Sequence, residues 1–356
     1  MSRRTGGRAI AVLGLGLSSL GCTALSSTDE FQQLSLRAEL ERLAPGCGEC
    51  IERQCSSFSR CALTSECVDY AACRAEDISP ASYWSCGTPR SDYDALLECS
   101  ECREACNVGT NWACVGDYTW PNVEAPIEFR QRLLDNEDTS VRRELSGVAV
   151  QPCLKADVSC TEPVAEGGLA SAVTDEAGWA QVVLPNGEDG HGFDGYLLAR
   201  GPSVPTFRIH RSTPIPNGEA ETALFSTSSL VTIMGRGTVG ADIPPVDLSK
   251  PQAVFQVLDC LHQPAIGVTV DVREKQASER FVMYNGGGPG QDVNLQGTTF
   301  EERGTGAVLN LNQPTDVAQG LVRFELLKDG ELLGHSVVTI RSGDITVVLF
   351  EPSHVP

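Results

Sequence analysis

The sequence predicts a mainly β protein: two antiparallel β-sandwiches preceded by a small disulfide-rich helical module. Three observations carry this. Eleven cysteines crowd into residues 47–114, in a stretch that uses Glu, Arg, Ala and Leu and few β-branched runs. After Pro121 the apolar pattern changes to period two, broken by Gly and Pro turns, which marks strands. That pattern restarts near residue 250, giving two runs of roughly 100 residues, the size of a small sandwich. The expected boundaries are 1–21 for a signal peptide, 22–45 for a tether and helix and 46–121 for the cysteine-rich module. The first sandwich with its linker takes 122–249, and the second takes 250–356.

At the N-terminus, Arg3, Arg4 and Arg8 precede a short apolar run from Ala9 to Leu17, and Ser18-Ser19-Leu20-Gly21-Cys22 follows. A charged region, a short apolar region and a small residue before a cut make an export signal. The run is far below the roughly 20 residues that a permanent membrane span needs. Gly21-Cys22 resembles the lipobox of bacterial lipoproteins, in which the cysteine thiol receives a diacylglycerol and becomes the first residue of the mature chain. Ser19 stands where that family prefers Leu, with Leu20 beside it. Ordinary cleavage after Ala24 is the alternative. The resemblance implies lipidation at Cys22. Thr23 behind it, in place of Asp, implies the outer membrane or cell surface, with the periplasmic side open as well.

The 356 residues suit two or three domains and carry a formal charge of −20. So acidic a surface repels phosphate backbones, which excludes nucleic acid as a partner, and it disfavours anionic membranes too. The lipid on Cys22 is then the membrane contact. Fifteen cysteines in an exported chain argue for disulfides.

Residues 23–30 read as a tether and Phe31 to Leu43 as a helix, with Leu34, Leu36, Leu40 and Leu43 as its apolar stripe and Pro45-Gly46 as its stop. Two triplets, Cys47-Cys50-Cys55 and Cys99-Cys102-Cys106, bracket the module, and their spacings set each on one helical face. Cys61, Cys67, Cys73, Cys86 and Cys114 complete the eleven, and Cys153, Cys160 and Cys260 lie beyond them. Cys47-x-x-Cys50 and Cys99-x-x-Cys102 could instead hold zinc through four thiolates. Export and the surplus cysteines favour disulfides, and no metal or cofactor is expected. Cys153 and Cys160 are close enough in sequence to pair across a turn. That leaves Cys260 and one cysteine of the module either free or bridged to each other, and the bridge is the expectation. Trp112, Tyr118 and Trp120 around Cys114 could stack on a sugar, or pack over a disulfide, the expected role.

Strands are predicted at 127–134, 145–153, 179–184, 193–198 and 206–210, and Leu224 to Met234 reads as a helix between domains. The second run repeats the logic. Gly267-Val-Thr-Val270 matches Gly147-Val-Ala-Val150, a strand at 305–311 matches the one after the Thr174-Asp-Glu-Ala-Gly178 turn, Asp329-Gly330 is a hairpin turn, and 345–350 is the last strand. The Gly-Val-x-Val strand, the Thr-Asp-x-x-Gly turn and the closing Gly-Asp-Ile-Thr-Val-Val-Leu strand resemble the carboxypeptidase-regulatory-like, transthyretin-like β-sandwich. The whole layout is similar to lipoproteins of large-genome Gram-negative bacteria. The second turn is a degenerate copy, Thr298-Thr-Phe-Glu-Glu-Arg-Gly304, and residues 136–144 are an insertion. The resemblance implies an accessory or adhesive module with no catalytic residues.

Catalytic motifs are weak. Gly235-Arg-Gly-Thr-Val-Gly240 fits GxGxxG, but Pro244-Pro245 follows where a dinucleotide site needs a helix. Gly286 to Gly290 is a loop, no HExxH or GxSxG occurs, and the acidic stretch from Asn186 to Asp194 matches no standard calcium loop. The expectation is a non-enzymatic, lipid-anchored envelope protein that binds a carbohydrate or protein ligand or displays its β modules. The alternative is an accessory subunit of, or a divergent, extracytoplasmic hydrolase acting on polysaccharide or peptide.

Overall fold

Helix α1 (Thr28–Leu43) turns Leu36, Leu40 and Leu43 onto one face, and all three are buried. Leu34 was expected in that stripe. It lies about 200° around the axis from Leu36, and it is 57 % exposed. After the Pro45-Gly46 break the Glu41 carboxylate accepts the backbone N–H groups of Gly46 (2.7 Å) and Glu49 (2.9 Å), at the start of α2 (Cys47–Gln54). A helix N-terminus leaves such groups without intrahelical partners. They hold the Glu41 carboxyl below its ordinary range. α2 approaches α1 at Gly48, where a Cβ would stand 2.3 Å from the Arg37 carbonyl oxygen. Gly48→Ala is expected to wedge the two helices apart and cost about 2 kcal/mol. A thermal melt checks it, and an unchanged Tm would mean that the helices do not meet there.

The computed structural model describes residues 28–78, 80–87, 91–116, 120, 122–138, 141–161, 164, 171–202, 204–224, 247–272, 281–285, 293–294, 298–299, 304–311 and 320–352. In the helical module, α3 (Ser57–Ala62), α4 (Ser65–Glu76), α5 (Pro80–Ser85), α6 (Ser91–Leu97) and a 3₁₀ turn at Ser100–Cys102 follow α2. Seven disulfides pair fourteen cysteines: Cys47–Cys106, Cys50–Cys102, Cys55–Cys99, Cys61–Cys67, Cys73–Cys86, Cys114–Cys260 and Cys153–Cys160. The bracketing triplets join in reverse order, like rungs of a ladder. The first triplet sits on α2 and its C-cap. In the second, Cys99 precedes the 3₁₀ turn, Cys102 ends it and Cys106 lies in the turns after it, so the expected second helix is absent among the described residues. Cys22 lies outside the described residues, as do 225–246 and 286–290.

The β body contains β1 (Ile127–Asp138), β2 (Val141–Glu144), β3 (Ala149–Leu154), β4 (Ala172–Val173), β5 (Trp179–Leu184), β6 (Gly195–Gly201), β7 (Val204–Arg211) and β8 (Gly218–Leu224). It continues with β9 (Gln252–Val257), β10 (Thr269–Val272), β11 (Phe281–Asn285), β12 (Val293–Asn294), β13 (Thr305–Leu309), β14 (Leu321–Lys328), β15 (Glu331–Thr339) and β16 (Ile345–Phe350). One sheet sets β1 against β2, β5 and β8; a second has the order β10-β14-β15; a third runs β12-β11-β13-β9-β16-β7-β6-β3-β4. Not every pair is antiparallel, as the sequence had suggested. β1–β8, β9–β16 and β16–β7 are parallel, because β8 and β16 are each reached by crossing from another sheet rather than through a hairpin.

The pairings of β1–β8 recur in β9–β16. β1 pairs antiparallel with β5 and parallel with β8, as β9 does with β13 and β16. β3 pairs with β6 and β6 with β7, as β10 does with β14 and β14 with β15. The match extends to single hydrogen bonds. Gly147 N–H donates to the Thr174 carbonyl, Thr174 N–H to that of Val148, and Val148 N–H to Thr174 Oγ1, at 2.9–3.0 Å. Gly267, Thr299 and Val268 repeat this set at 2.9–3.1 Å.

The nine-stranded sheet joins these two sets where β16 lies between β9 and β7. Its side chains alternate faces, as strand geometry requires. Ile345 belongs to the core that β1, β5, β6 and β7 share, with Val347 packed against it. Val348 and Phe350 belong to the core of β9, β10, β14 and β15. The sheet therefore continues across the boundary expected at 249/250. No helix among the described residues is long and apolar enough to cross a membrane.

Candidate functional site

Charged and aromatic side chains concentrate where the helical module meets both β halves. The turn after β9 carries Asp259, Cys260, Leu261 and His262. Asp259 is buried, and its carboxylate accepts four backbone N–H groups: Gly109 (2.8 Å) and Asn111 (3.2 Å) from the end of the helical module, and Leu261 (2.9 Å) and Gln263 (3.0 Å) from its own turn. Burial pushes its carboxyl up to about 7, against the pull of these donors. Cys260 is bonded to Cys114, its N–H donates to the Asn111 carbonyl at 2.9 Å, and its own carbonyl accepts from the Arg74 guanidinium at 2.8 Å. Leu261 enters the core of the helical module, while Trp112 and Val115 pack against the core of the second β half. Each part closes the other's core.

Beside this turn sits Glu351, just after β16 and 1 % exposed. Its Oε1 accepts from Arg211 at 2.6 Å and from the Trp84 indole N–H at 3.3 Å, and it lies 3.3 Å from His262 Nδ1. Thr213 donates its hydroxyl to Oε2. Arg211 also stands 4.4 Å from the Trp84 ring centroid, and His262 stacks on Tyr83 at 3.6 Å. Burial opposes ionisation of Glu351, but Arg211, His262 and Thr213 outweigh it and hold the carboxyl far below its ordinary range. Chemically this is an ionised carboxylate neutralised in place by an arginine. Sealed from solvent, it fixes the relative positions of α5, β7 and β16.

Burial lowers the His262 imidazole to about 4, against Glu351, which raises it; Arg211 and Arg74 add to the lowering. The folded state therefore keeps it neutral, while the unfolded chain protonates it below about 6.5. Its contribution is fully present above pH 6.5 and is lost as pH falls toward 4. Full loss is worth roughly 3 kcal/mol. His262→Gln is expected to flatten the pH dependence of stability between pH 7 and 4 relative to the parent chain. Urea unfolding at several pH values measures this, and parallel curves would contradict it. The comparison between variants matters because Asp259, with its raised carboxyl, has the opposite slope in part of this range.

A second buried cluster ties β7 to the strands after it. Arg208, fully buried, donates to Asp344 (2.8 Å) and to the Tyr196 hydroxyl (2.9 Å), and His210 lies 3.0 Å from Thr339 Oγ1. Burial first, then Lys155 and Arg208, keep the His210 imidazole well below its ordinary value.

The residues singled out by sequence fare differently. Cys260 and Cys114 meet at this junction, and Cys153–Cys160 closes a turn. In the acidic loop, Asn186 is spent on the backbone of Val123, Gly190 and Gly192, Asp189 accepts from the His191 N–H, and Asp194 pairs with Lys155 at 2.9 Å. Asn186 and Asp189 brace the loop's own backbone, and Asp194 ties the loop to Lys155. Trp112 covers a core, and the GxGxxG stretch lies outside the described residues. Arg74, Trp84, Arg211, His262 and Glu351 carried no local sequence signal, because their partners stand far away in the chain. No protein-family model matches the chain, and no curated protein matches it.

Proposed function

We propose a non-enzymatic, lipid-anchored envelope protein that binds a carbohydrate or protein ligand, or displays its β modules, from the outer membrane or cell surface. Seven disulfides are the mark of an exported or extracellular chain. One observation carries the rest. The sequence has fifteen cysteines and the disulfides take fourteen, so the single cysteine outside that network is Cys22, the residue behind the small residue of the export signal. The Glu351 cluster is sealed and internally neutralised, which supports a structural role for it. We read β1–β8 and β9–β16 as two copies of one transthyretin-like sandwich sharing a sheet at β7–β16. The repeated pairing and the repeated Thr174 and Thr299 hydrogen bonds support that reading.

Cell fractionation tests the anchor. The mature chain is expected to partition into detergent with acyl mass on its first residue, and Cys22→Ser to release it into the soluble fraction. Unmodified mature protein beginning at Leu25 would contradict the reading. The released protein is then the probe for a glycan and peptide array. Binding without turnover is expected, and cleavage of an arrayed polysaccharide or peptide would favour a hydrolase.

A further inference from the structure

Two rungs of the cysteine ladder touch. Cys50–Cys102 and Cys55–Cys99 are separate disulfides, yet Cys55 Sγ lies 3.6 Å from Cys102 Sγ. The sulfurs of Cys55, Cys99 and Cys102 all lie within 4.8 Å of one another. The four sulfurs follow one another in the order Cys50–Cys102···Cys55–Cys99. The inner members are buried, with Cys55 at 8 % and Cys102 at 1 % exposure. The outer members, Cys50 and Cys99, are half-buried and reachable from solvent. The sequence explains the arrangement: two triplets of similar spacing, joined in reverse order, stack successive rungs.

We propose that these two disulfides are one thiol–disulfide exchange unit, through which a small thiol attacking one outer sulfur releases the other. The thiolate of the small thiol attacks Cys99 Sγ. A mixed disulfide forms there, the Cys99–Cys55 bond breaks, and its electron pair leaves on Cys55. That thiolate, generated in contact with Cys102, attacks Cys102 Sγ. The Cys55–Cys102 bond forms, Cys102–Cys50 breaks, and Cys50 leaves as a thiolate that takes up the proton lost by the incoming thiol. The number of disulfides is unchanged, so no oxidant is needed. A second small thiol attacking the mixed disulfide frees Cys99 and departs as the oxidised dimer, which makes the net change a two-electron reduction of the protein. Exchange requires a thiolate placed against a disulfide sulfur, and the buried contact supplies that placement.

The full chain with Cys99→Ser tests this, because it leaves Cys55 without its partner. Alkylation at neutral pH followed by non-reducing digestion is expected to find the label on both Cys50 and Cys55. About a tenth or more should sit on Cys50, since the two arrangements exchange like disulfides of similar stability, and a peptide should join Cys55 to Cys102. Label on Cys55 alone, with Cys50–Cys102 intact, would overturn the proposal, and so would label spread over all cysteines. Cys61→Ser is the matched control, with its label expected on Cys67 alone. If Cys99→Ser does not fold, the wild-type chain is treated with substoichiometric glutathione and quenched in acid. Glutathione on Cys99 together with free Cys50 supports the relay, whereas glutathione on Cys99 with free Cys55 overturns it.

Discussion

Glu351→Ala is expected to destabilise the protein by about 3–5 kcal/mol, the cost of leaving a buried cation without its partner. Arg211 and Glu351 are both nearly inaccessible, and Arg211 loses its 2.6 Å carboxylate while the Trp84 and Thr213 donors lose their acceptor. For a chain of this size each kcal/mol is worth roughly 2–4 °C, so the melt should move down by about 10 °C. Glu351→Gln keeps the shape and one acceptor but not the charge, and should fall between. Glu331→Ala, on an exposed hairpin residue, is the control and should stay within about 0.5 kcal/mol. A Glu351→Ala chain as stable as that control would mean that the junction holds nothing together.

The other large effect is expected on the shared strand. Ile345 is buried between the β1 and β7 layers although it comes from the second half of the chain, and its strand pairs with Phe207 to Arg211 on one side and Gln252 to Val257 on the other. Ile345→Asp replaces a buried isoleucine, worth roughly 2–3 kcal/mol of burial, with a charge that has no partner there. The loss should exceed about 4 kcal/mol. Because β16 belongs to both halves, calorimetry is expected to show one transition at lower temperature. Two transitions, one of them unmoved, would show that the halves melt independently. Expressed alone, 250–356 retains β9–β16 but exposes Ile345, Val347 and Val254 and strands Cys260.

What the sequence revealed and what it hid divide along chain distance. Local patterns were legible: the α1 stop at Pro45-Gly46, the alternation of β14, the Asp329-Gly330 hairpin, and the Thr174 turn with its weak echo at Thr299. β8 was missed because between its glutamates Gly218 to Leu224 offers only small residues, Thr222 and a single leucine, too weak an alternation to mark a strand. Its glutamates face solvent and pair with Arg130 and Arg132 of β1, a property visible only once the strands lie side by side. Cysteine parity pointed to a bridge from Cys260, but not to Cys114 or to the reversed ladder. The junction was not legible at all. Glu351 meets residues from position 84 to position 262, and no period or motif relates them.

The helical module is locked onto the β body through the 259–263 turn rather than tethered beside it. Non-reducing digestion and mass spectrometry of the full exported chain test this most directly. One peptide joining Cys114 to Cys260 is expected, with no alkylation of Cys260 before reduction. A Cys260 that alkylates in the unreduced, folded protein would contradict it.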